Sequence, residues 1–265
     1  MIAKDELIRI ARRSGVGLGV FEKDYIISCI LISLSRIEYL NEQFIFKGGT
    51  ALRKLYFPDW RYSEDLDFSV LPAFKRETLE EPIQEWFLVV QEDFDITLRI
   101  KSTHSANSAA RLRAQFIGPL NHPNLIFYDL TFDEELITPV LKRPVLSPFG
   151  LDPTALIPVY SLEGILGEKL RSILQRGKSR DYYDVWRLLK DKRDLLDLGR
   201  ASDVFKKKCY QRDVTFLTAD EFVSPERIEA ARRYWDEDLR YQLEDLPSFL
   251  DVIKELKDFL PELRL

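Results

Sequence analysis

The chain has 265 residues, 45% of them hydrophobic and 31% charged, with 39 Lys+Arg against 44 Asp+Glu and a formal net charge of −5. That balance excludes a disordered chain, which lacks the apolar residues for a core, and a generally basic nucleic-acid coat protein. The only cysteines, Cys29 and Cys209, lie far apart and leave no disulfide framework or Cys-rich zinc site.

Residues 2–13 read as a helix with charges throughout, so no signal-peptide stretch is expected there. Gly15, Gly17 and Gly19 then break the chain. They follow a helix rather than a strand and have no Lys-Ser/Thr, so they read as a turn and not a phosphate loop. Residues 21–39 repeat apolar side chains at helical spacing (Tyr25, Ile26, Cys29, Ile30, Leu34, Ile37), the pattern of a core helix. Cys29 in this run reads as a small core residue rather than a nucleophile. Phe44-Ile45-Phe46 is a short apolar strand running into Lys47-Gly48-Gly49-Thr50 and a helix from Ala51 to Tyr56. A turn at Pro58-Asp59-Trp60 leads to Asp65–Val70, whose period-2 alternation predicts a strand.

A helix is expected over 79–91, then strands at 94–100, 111–117 and 125–132. His104 and His122 fall in expected loops, so a His-based metal or acid–base site has little support. Pro139, Pro144, Pro148, Pro153 and Pro158 mark a linker or boundary loop. Beyond it the long segments are helical: Leu162 to Leu174, Tyr182 to Leu189, 226–243 and 247–259. An α/β lobe over residues 1–145 followed by an α-helical lobe over 146–265 is therefore expected. No segment reaches the roughly 20 apolar residues of a membrane span, and the protein reads as cytoplasmic with no membrane contact.

The informative run is Phe46-Lys47-Gly48-Gly49-Thr50 followed by Arg61-Tyr62-Ser63-Glu64-Asp65-Leu66-Asp67. On a strand Asp65 and Asp67 share one face, while Leu66, Phe68 and Val70 face the core. Two adjacent carboxylates repel, and a shared Mg²⁺ relieves that repulsion while keeping coordination sites for substrate phosphates. The Gly-Gly pair offers backbone N–H groups with no Cβ in the way, and Thr50 adds a hydroxyl, features that suit a triphosphate. The competing account of Asp65 and Asp67 is the solvated face of an edge strand.

The ordered set of strand, Gly-Gly-Thr, helix, turn and D-x-D resembles the polymerase-β-like nucleotidyltransferases. The resemblance implies an α+β fold, with a mixed central sheet in the first lobe. That fold uses a third carboxylate on a neighbouring strand, and Asp129 fits, since it interrupts the apolar run Leu125–Leu130. A salt bridge or an exposed strand end would also explain it. Asp133 and Glu134 are alternatives, expected to be exposed turn residues.

In the helical part stand Glu168-Lys169-Leu170 and Arg176-Gly177-Lys178-Ser179-Arg180-Asp181-Tyr182-Tyr183-Asp184. Lys169 sits at the edge of an apolar stripe, and Asp181 and Asp184 share a helix face. Either Lys169 closes a salt-bridged helical hairpin with Asp181 or Asp184, or Lys169 and the arginines neutralise phosphate, with Asp181 orienting Lys169 or acting as a base. A restriction-type nuclease does not fit, because Glu168 and Lys169 are adjacent and helical. Of the three basic runs (169–180, Lys206-Lys207-Lys208 and Arg232-Arg233), only the first is expected to be a phosphate track.

Over residues ~20–190 the chain resembles the AbiEii/AbiGii toxin family of nucleotidyltransferases from toxin–antitoxin and phage-abortive-infection systems. Glu22-Lys23-Asp24-Tyr25, Phe46–Leu52, Arg61-x-Ser63-x-Asp65-Leu66-Asp67-Phe68, Glu168-Lys169-Leu170 and Arg180-Asp181-x-Tyr183-Asp184 carry the match. Many relatives have Gly-Ser where this chain has Gly49-Thr50; Thr keeps the hydroxyl. Residues 195–265 match no motif of that set.

The resemblance implies transfer of a nucleoside monophosphate from an NTP to an acceptor, in some members the 3′ end of tRNA, which blocks translation. It implies Mg²⁺, with Mn²⁺ as an alternative, held by Asp65, Asp67 and Asp129, the last completing the metal site or accepting the acceptor proton. It implies nucleotide contacts from Lys47, Gly48, Gly49, Thr50, Arg61, Ser63, Lys169 and Arg180, with Asp181 positioning Lys169. A cognate antitoxin is expected as partner. The competing functions are nucleotidyl transfer to a protein or small molecule, and a non-catalytic nucleotide-binding subunit.

Overall fold

The structure is a computed structural model and describes residues 1–132 and 134–265. It divides into two compact units, one of residues 1–135 and 140–159, the other of 136–139 and 160–265.

The first unit is built on a seven-stranded mixed sheet of order β3-β4-β5-β2-β1-β7-β6. Its strands are β1 (Phe44–Lys47), β2 (Asp65–Val70), β3 (Thr97–Ala106), β4 (Ala109–Ile117), β5 (Pro123–Phe132), β6 (Leu141–Pro144) and β7 (Leu156–Val159). Its helices are α1 (Lys4–Ala11), α2 (Leu18–Leu34), α3 (Glu38–Gln43), α4 (Gly48–Ala51) and α5 (Glu80–Phe94). The pairs β1–β7 and β2–β5 are parallel; the other four are antiparallel.

Period-2 patterning explains the layering. Leu66, Phe68, Leu112, Ala114, Tyr128 and Leu130 are buried on one sheet face. The Trp86 ring of α5 sits edge-on against Phe68 and Tyr128, and its indole N–H donates to the Ile30 carbonyl of α2 at 2.9 Å. A fully buried aromatic of this size contributes about 1.5–3 kcal/mol, so these rings anchor α2 and α5 on the sheet. The helix α2 buries residues on every side, which marks it as internal. Cys29 lies in it with no exposure, and burial pushes its thiol up to about 12, so it is a core residue.

Four expectations need correction. The core helix was expected over 21–39 but starts at Leu18 and ends at Leu34, and α3 is a separate helix. Phe94 closes α5 instead of opening a strand, because Asp95 takes a left-handed conformation (φ 55°) that ends the helix. β3 therefore starts at Thr97 and runs on to Ala106, so His104 stands on a strand and not in a loop. The Pro-rich passage is no simple linker. Val159 pairs with Phe46, and Leu141–Pro144 pair with β7, which carries the first unit to residue 159, where a change at 145/146 was expected. Prolines are tolerated there because β6 is an edge strand and β7 is short.

The second unit is helical: α6 (Leu162–Arg176), α7 (Ser179–Asp191), α8 (Leu198–Gln211), α9 (Pro225–Leu239) and α10 (Phe249–Phe259). Ser161 caps α6 by accepting the Gly164 N–H. A Cβ on Gly167 would stand 2.6 Å from Val204 and 2.8 Å from the Phe205 backbone, so only glycine lets α6 and α8 meet at that point. Tyr182 donates to the Phe222 carbonyl, Ser179 to that of Ala231, and the Trp186 indole to Glu255. Residues 195–265, unassigned from motifs, thus brace α7. Lys208, expected on a solvated basic run, is buried against Tyr160. Among the described residues no helix is long and apolar enough to cross a membrane.

Candidate active site

Strand register assembles the site in the first unit. Lys47 opposes Asp67 across β1–β2, Asp67 opposes Asp129 across β2–β5, and Asp129 opposes Arg111 across β4–β5. Directly paired residues point to the same side of a sheet. Lys47, Asp67, Asp129 and Arg111 therefore form one row across four strands, on the face opposite Phe68 and Tyr128. Asp65, two residues before Asp67, shares that face beside Phe127. Asp65, Asp67 and Asp129 are half-exposed, which lets carboxylates stand there without full desolvation.

The glycine motif fits around Asp67. Gly48 has φ +81°, and a Cβ there would lie 2.5 Å from the Asp67 Oδ2. Both the conformation and the space demand glycine. Gly48→Ala is expected to push the Asp67 side chain aside and lower nucleotide transfer about a hundredfold, the usual cost of misplacing a reacting group by about 1 Å. A labelled-nucleotide incorporation assay run beside a thermal melt measures both effects. After α4 the chain continues as a π-helical turn, Leu52–Tyr56, closed by the Phe57 N–H on the Leu52 carbonyl; such turns are frequent at functional sites.

Thr50 is fully buried. Its Oγ1 lies 2.8 Å from the Ser63 Oγ and donates to the Asp65 carbonyl. These bonds hold the start of β2 against the glycine turn, so the side chains of Thr50 and Ser63 position Asp65. Arg61 is also buried, at 2% exposure, with Nη1 donating to the Tyr62 carbonyl. Lys47 is buried and ion-paired to Glu134, which also accepts from Ser69. Glu134, expected to be an exposed turn residue, has a side chain only 4% exposed. The signal for it was there in the sequence: a lysine at the end of an apolar strand needs a counter-ion. Asp133, the other alternative to Asp129, lies outside the described residues.

The Glu22-Lys23-Asp24 motif proves to be scaffolding. Glu22 accepts the Leu120 N–H, Lys23 pairs with Glu64 next to β2, and Asp24 pairs with Arg53 (2.8 Å) and Lys54 (2.7 Å) behind the glycine turn. Burial pushes the Lys54 ammonium down to about 8.

In the second unit Lys169 pairs with both Asp181 and Asp184, each at 2.9 Å. Arg176 adds a two-pronged contact to Asp181, at 2.9 and 3.2 Å. Burial alone would raise the Asp181 carboxyl, but Lys169 and Arg176 outweigh it and hold it well below the usual carboxylate range. Asp181 is thus ionised and orients Lys169. Lys169 thus meets both of the partners that the hairpin account offered as alternatives, and Arg176 is the further partner of Asp181 that the sequence did not suggest. Arg180, on the first turn of α7, is half-exposed.

Among the described residues no three His, Cys, Asp or Glu side chains stand as a ready metal cluster. Asp129 lies 3.5 Å from the Arg111 guanidinium. The donor chemistry nonetheless suits a hard divalent cation, because the three acids that share the face offer only oxygen.

A mixed sheet carrying a Gly-Gly turn against a D-x-D strand is the arrangement that the resemblance to nucleotidyltransferases implies. The solved structure of MenT4, a nucleotidyltransferase toxin from Mycobacterium tuberculosis H37Rv, has the same fold, with a TM-score of 0.72 at 18% identity over 100% of this chain and 90% of that one. The family described as nucleotidyl transferase AbiEii toxin, type IV toxin–antitoxin system, matches residues 33–260. The chain belongs to that family, and the match takes in most of the C-terminal residues that the motifs left unassigned. No curated protein matches the sequence.

Proposed function

We propose that this nucleotidyltransferase toxin moves a nucleoside monophosphate from an NTP to the 3′ end of tRNA and so blocks translation. The observation that carries the reading is the row of Asp67 and Asp129, with Asp65 on the same face and Gly48 packed against Asp67. The acceptor hydroxyl attacks the α-phosphorus, the bond to the β-phosphate oxygen breaks, and pyrophosphate leaves. A divalent cation, Mg²⁺ or Mn²⁺, would offset charge on the attacking and leaving oxygens.

Asp65 and Asp67 would hold that cation, and Asp129 would complete the set or take the acceptor proton. The backbone N–H groups of Gly48 and Gly49 suit phosphate oxygens. Thr50, Ser63 and Arg61 serve by holding this turn and β2 in place, and Lys47, paired with Glu134, stands beside Asp67 at the end of the row. Within the helical unit, Lys169, held by Asp181, and Arg180 are the residues that the family resemblance associates with phosphate. The family type implies a cognate antitoxin.

Incubating the protein and Mg²⁺ with total RNA and each labelled NTP in turn should label RNA in the tRNA size range, and RNase should remove the label. A label that survives RNase and migrates with protein would sink the tRNA reading in favour of a protein acceptor.

A further inference from the structure

The basic runs evident in sequence leave out two neighbouring strands of the sheet that carry cations and no acid. β3 and β4 together contain Arg99, Lys101, Arg111 and Arg113, and no Asp or Glu, in a chain of net charge −5. All four cations are exposed. Register puts three of them on the carboxylate face. His104 opposes Arg111, which continues the Asp67–Asp129 row; Arg113 opposes Phe127, which continues the Asp65 row; and Arg99 opposes Gln115 on the same side. Strands are about 4.8 Å apart, so these side chains cover a span of about 14 Å from β2 to β3.

Phe127 departs from the pattern. It is a half-exposed aromatic ring on the charged face, beside Asp65, with the Arg111 guanidinium 4.6 Å from its centre. Edge protection explains a cation on β3, since charge on an edge strand discourages pairing with other chains. It does not explain Arg111 and Arg113, because β4 is paired on both sides. A basic face interleaved with an exposed aromatic is the combination that binds single-stranded nucleic acid.

We infer that the open face of β3, β4 and β5 is the track for the acceptor RNA. Arg99 and Arg113 contact its phosphates, and Phe127 stacks a base next to Asp65. This rests on the proposed transfer to RNA and adds where the RNA lies. The charges are matched to the phosphate backbone, which accommodates many sequences, so the track holds the strand without reading its bases.

The test is fluorescence anisotropy of end-labelled tRNA with the full-length protein, without NTP, over a range of salt. Removing two phosphate contacts in the Arg99→Ala/Arg113→Ala protein should weaken binding about tenfold or more and reduce the log–log salt slope by about 1.4. Phe127→Ala should weaken binding by about tenfold, with Phe127→Trp restoring it. NTP binding should be unchanged in every variant. Unchanged RNA affinity and slope, with the wild type still labelling RNA, would overturn the track and leave the proposed transfer standing. A wild type that binds no RNA and labels protein instead would overturn both.

Discussion

Replacing Asp67 by alanine is expected to cut nucleotide transfer about a thousandfold and to abolish growth arrest in cells expressing the protein. Asp67 is the carboxylate at the centre of the row, between Lys47 on one strand and Asp129 on the other, with Gly48 packed on its oxygen. Metal-assisted stabilisation of the transferring group is worth several kcal/mol, and each 1.36 kcal/mol is about tenfold in rate, so three orders of magnitude is the expected scale. Incorporation of labelled nucleotide measures the first effect.

A second readout separates a cation ligand from a structural carboxylate. Saturating Mg²⁺ should raise the melting temperature of the wild type, because a ligand of the folded state stabilises it by mass action, and should leave the Asp67→Ala melt unmoved. Full toxicity of the Asp67→Ala protein would sink the mechanism.

The second large effect is on stability. Lys169→Met should destabilise the helical unit by about 3–5 kcal/mol, the cost of removing one partner from a buried ion pair. Its two carboxylate partners, Asp181 and Asp184, have side chains 1% and 0% exposed. The methionine keeps the length of the stem, so the loss reports charge rather than packing. Urea denaturation followed by far-UV circular dichroism measures it, and a change within experimental error would show that the cluster is not electrostatically coupled.

The same cluster sets a pH dependence. The Asp181 carboxyl is held below its unfolded value, so its contribution is complete above about pH 4 and is lost as the pH falls further. The wild-type melting temperature should therefore fall as the pH is lowered below about 4, and the fall should be smaller in Asp181→Asn.

Much of the site could be read along the chain. The alternation Asp65-Leu66-Asp67-Phe68 identifies both the strand and its two faces, because side chains alternate with a period of two whatever the neighbours are. Gly48-Gly49 read in sequence as backbone left open for a triphosphate, and the structure adds a second reason for Gly48, the Asp67 carboxylate packed where a Cβ would stand. The pairing of Lys169 with Asp181 and Asp184 was also within reach, because a short connection between two helices keeps partners near each other in sequence. Boundaries were less secure. Phe94 looked like the start of a strand from its own residue type, and the left-handed turn at Asp95 decided otherwise.

What the sequence by itself determined is the residue chemistry and the local period: a Gly-Gly turn, a carboxylate strand, an apolar core helix and a helical C-terminal half. What only the tertiary structure decided is which distant side chains stand beside that strand. Asp129 comes next to Asp67 through a parallel pairing of β2 with β5, Glu134 reaches Lys47, and Arg111 and Arg113 extend the face outward. Strand register is a non-local quantity, fixed by how the apolar sides of β2, β4 and β5 seat together against α2 and α5, and a shift of one residue would turn every one of these side chains to the other face. The net charge of −5 shows the same division. As a sum it describes the composition, while the sheet separates the carboxylates on β2 and β5 from an acid-free basic surface on β3 and β4.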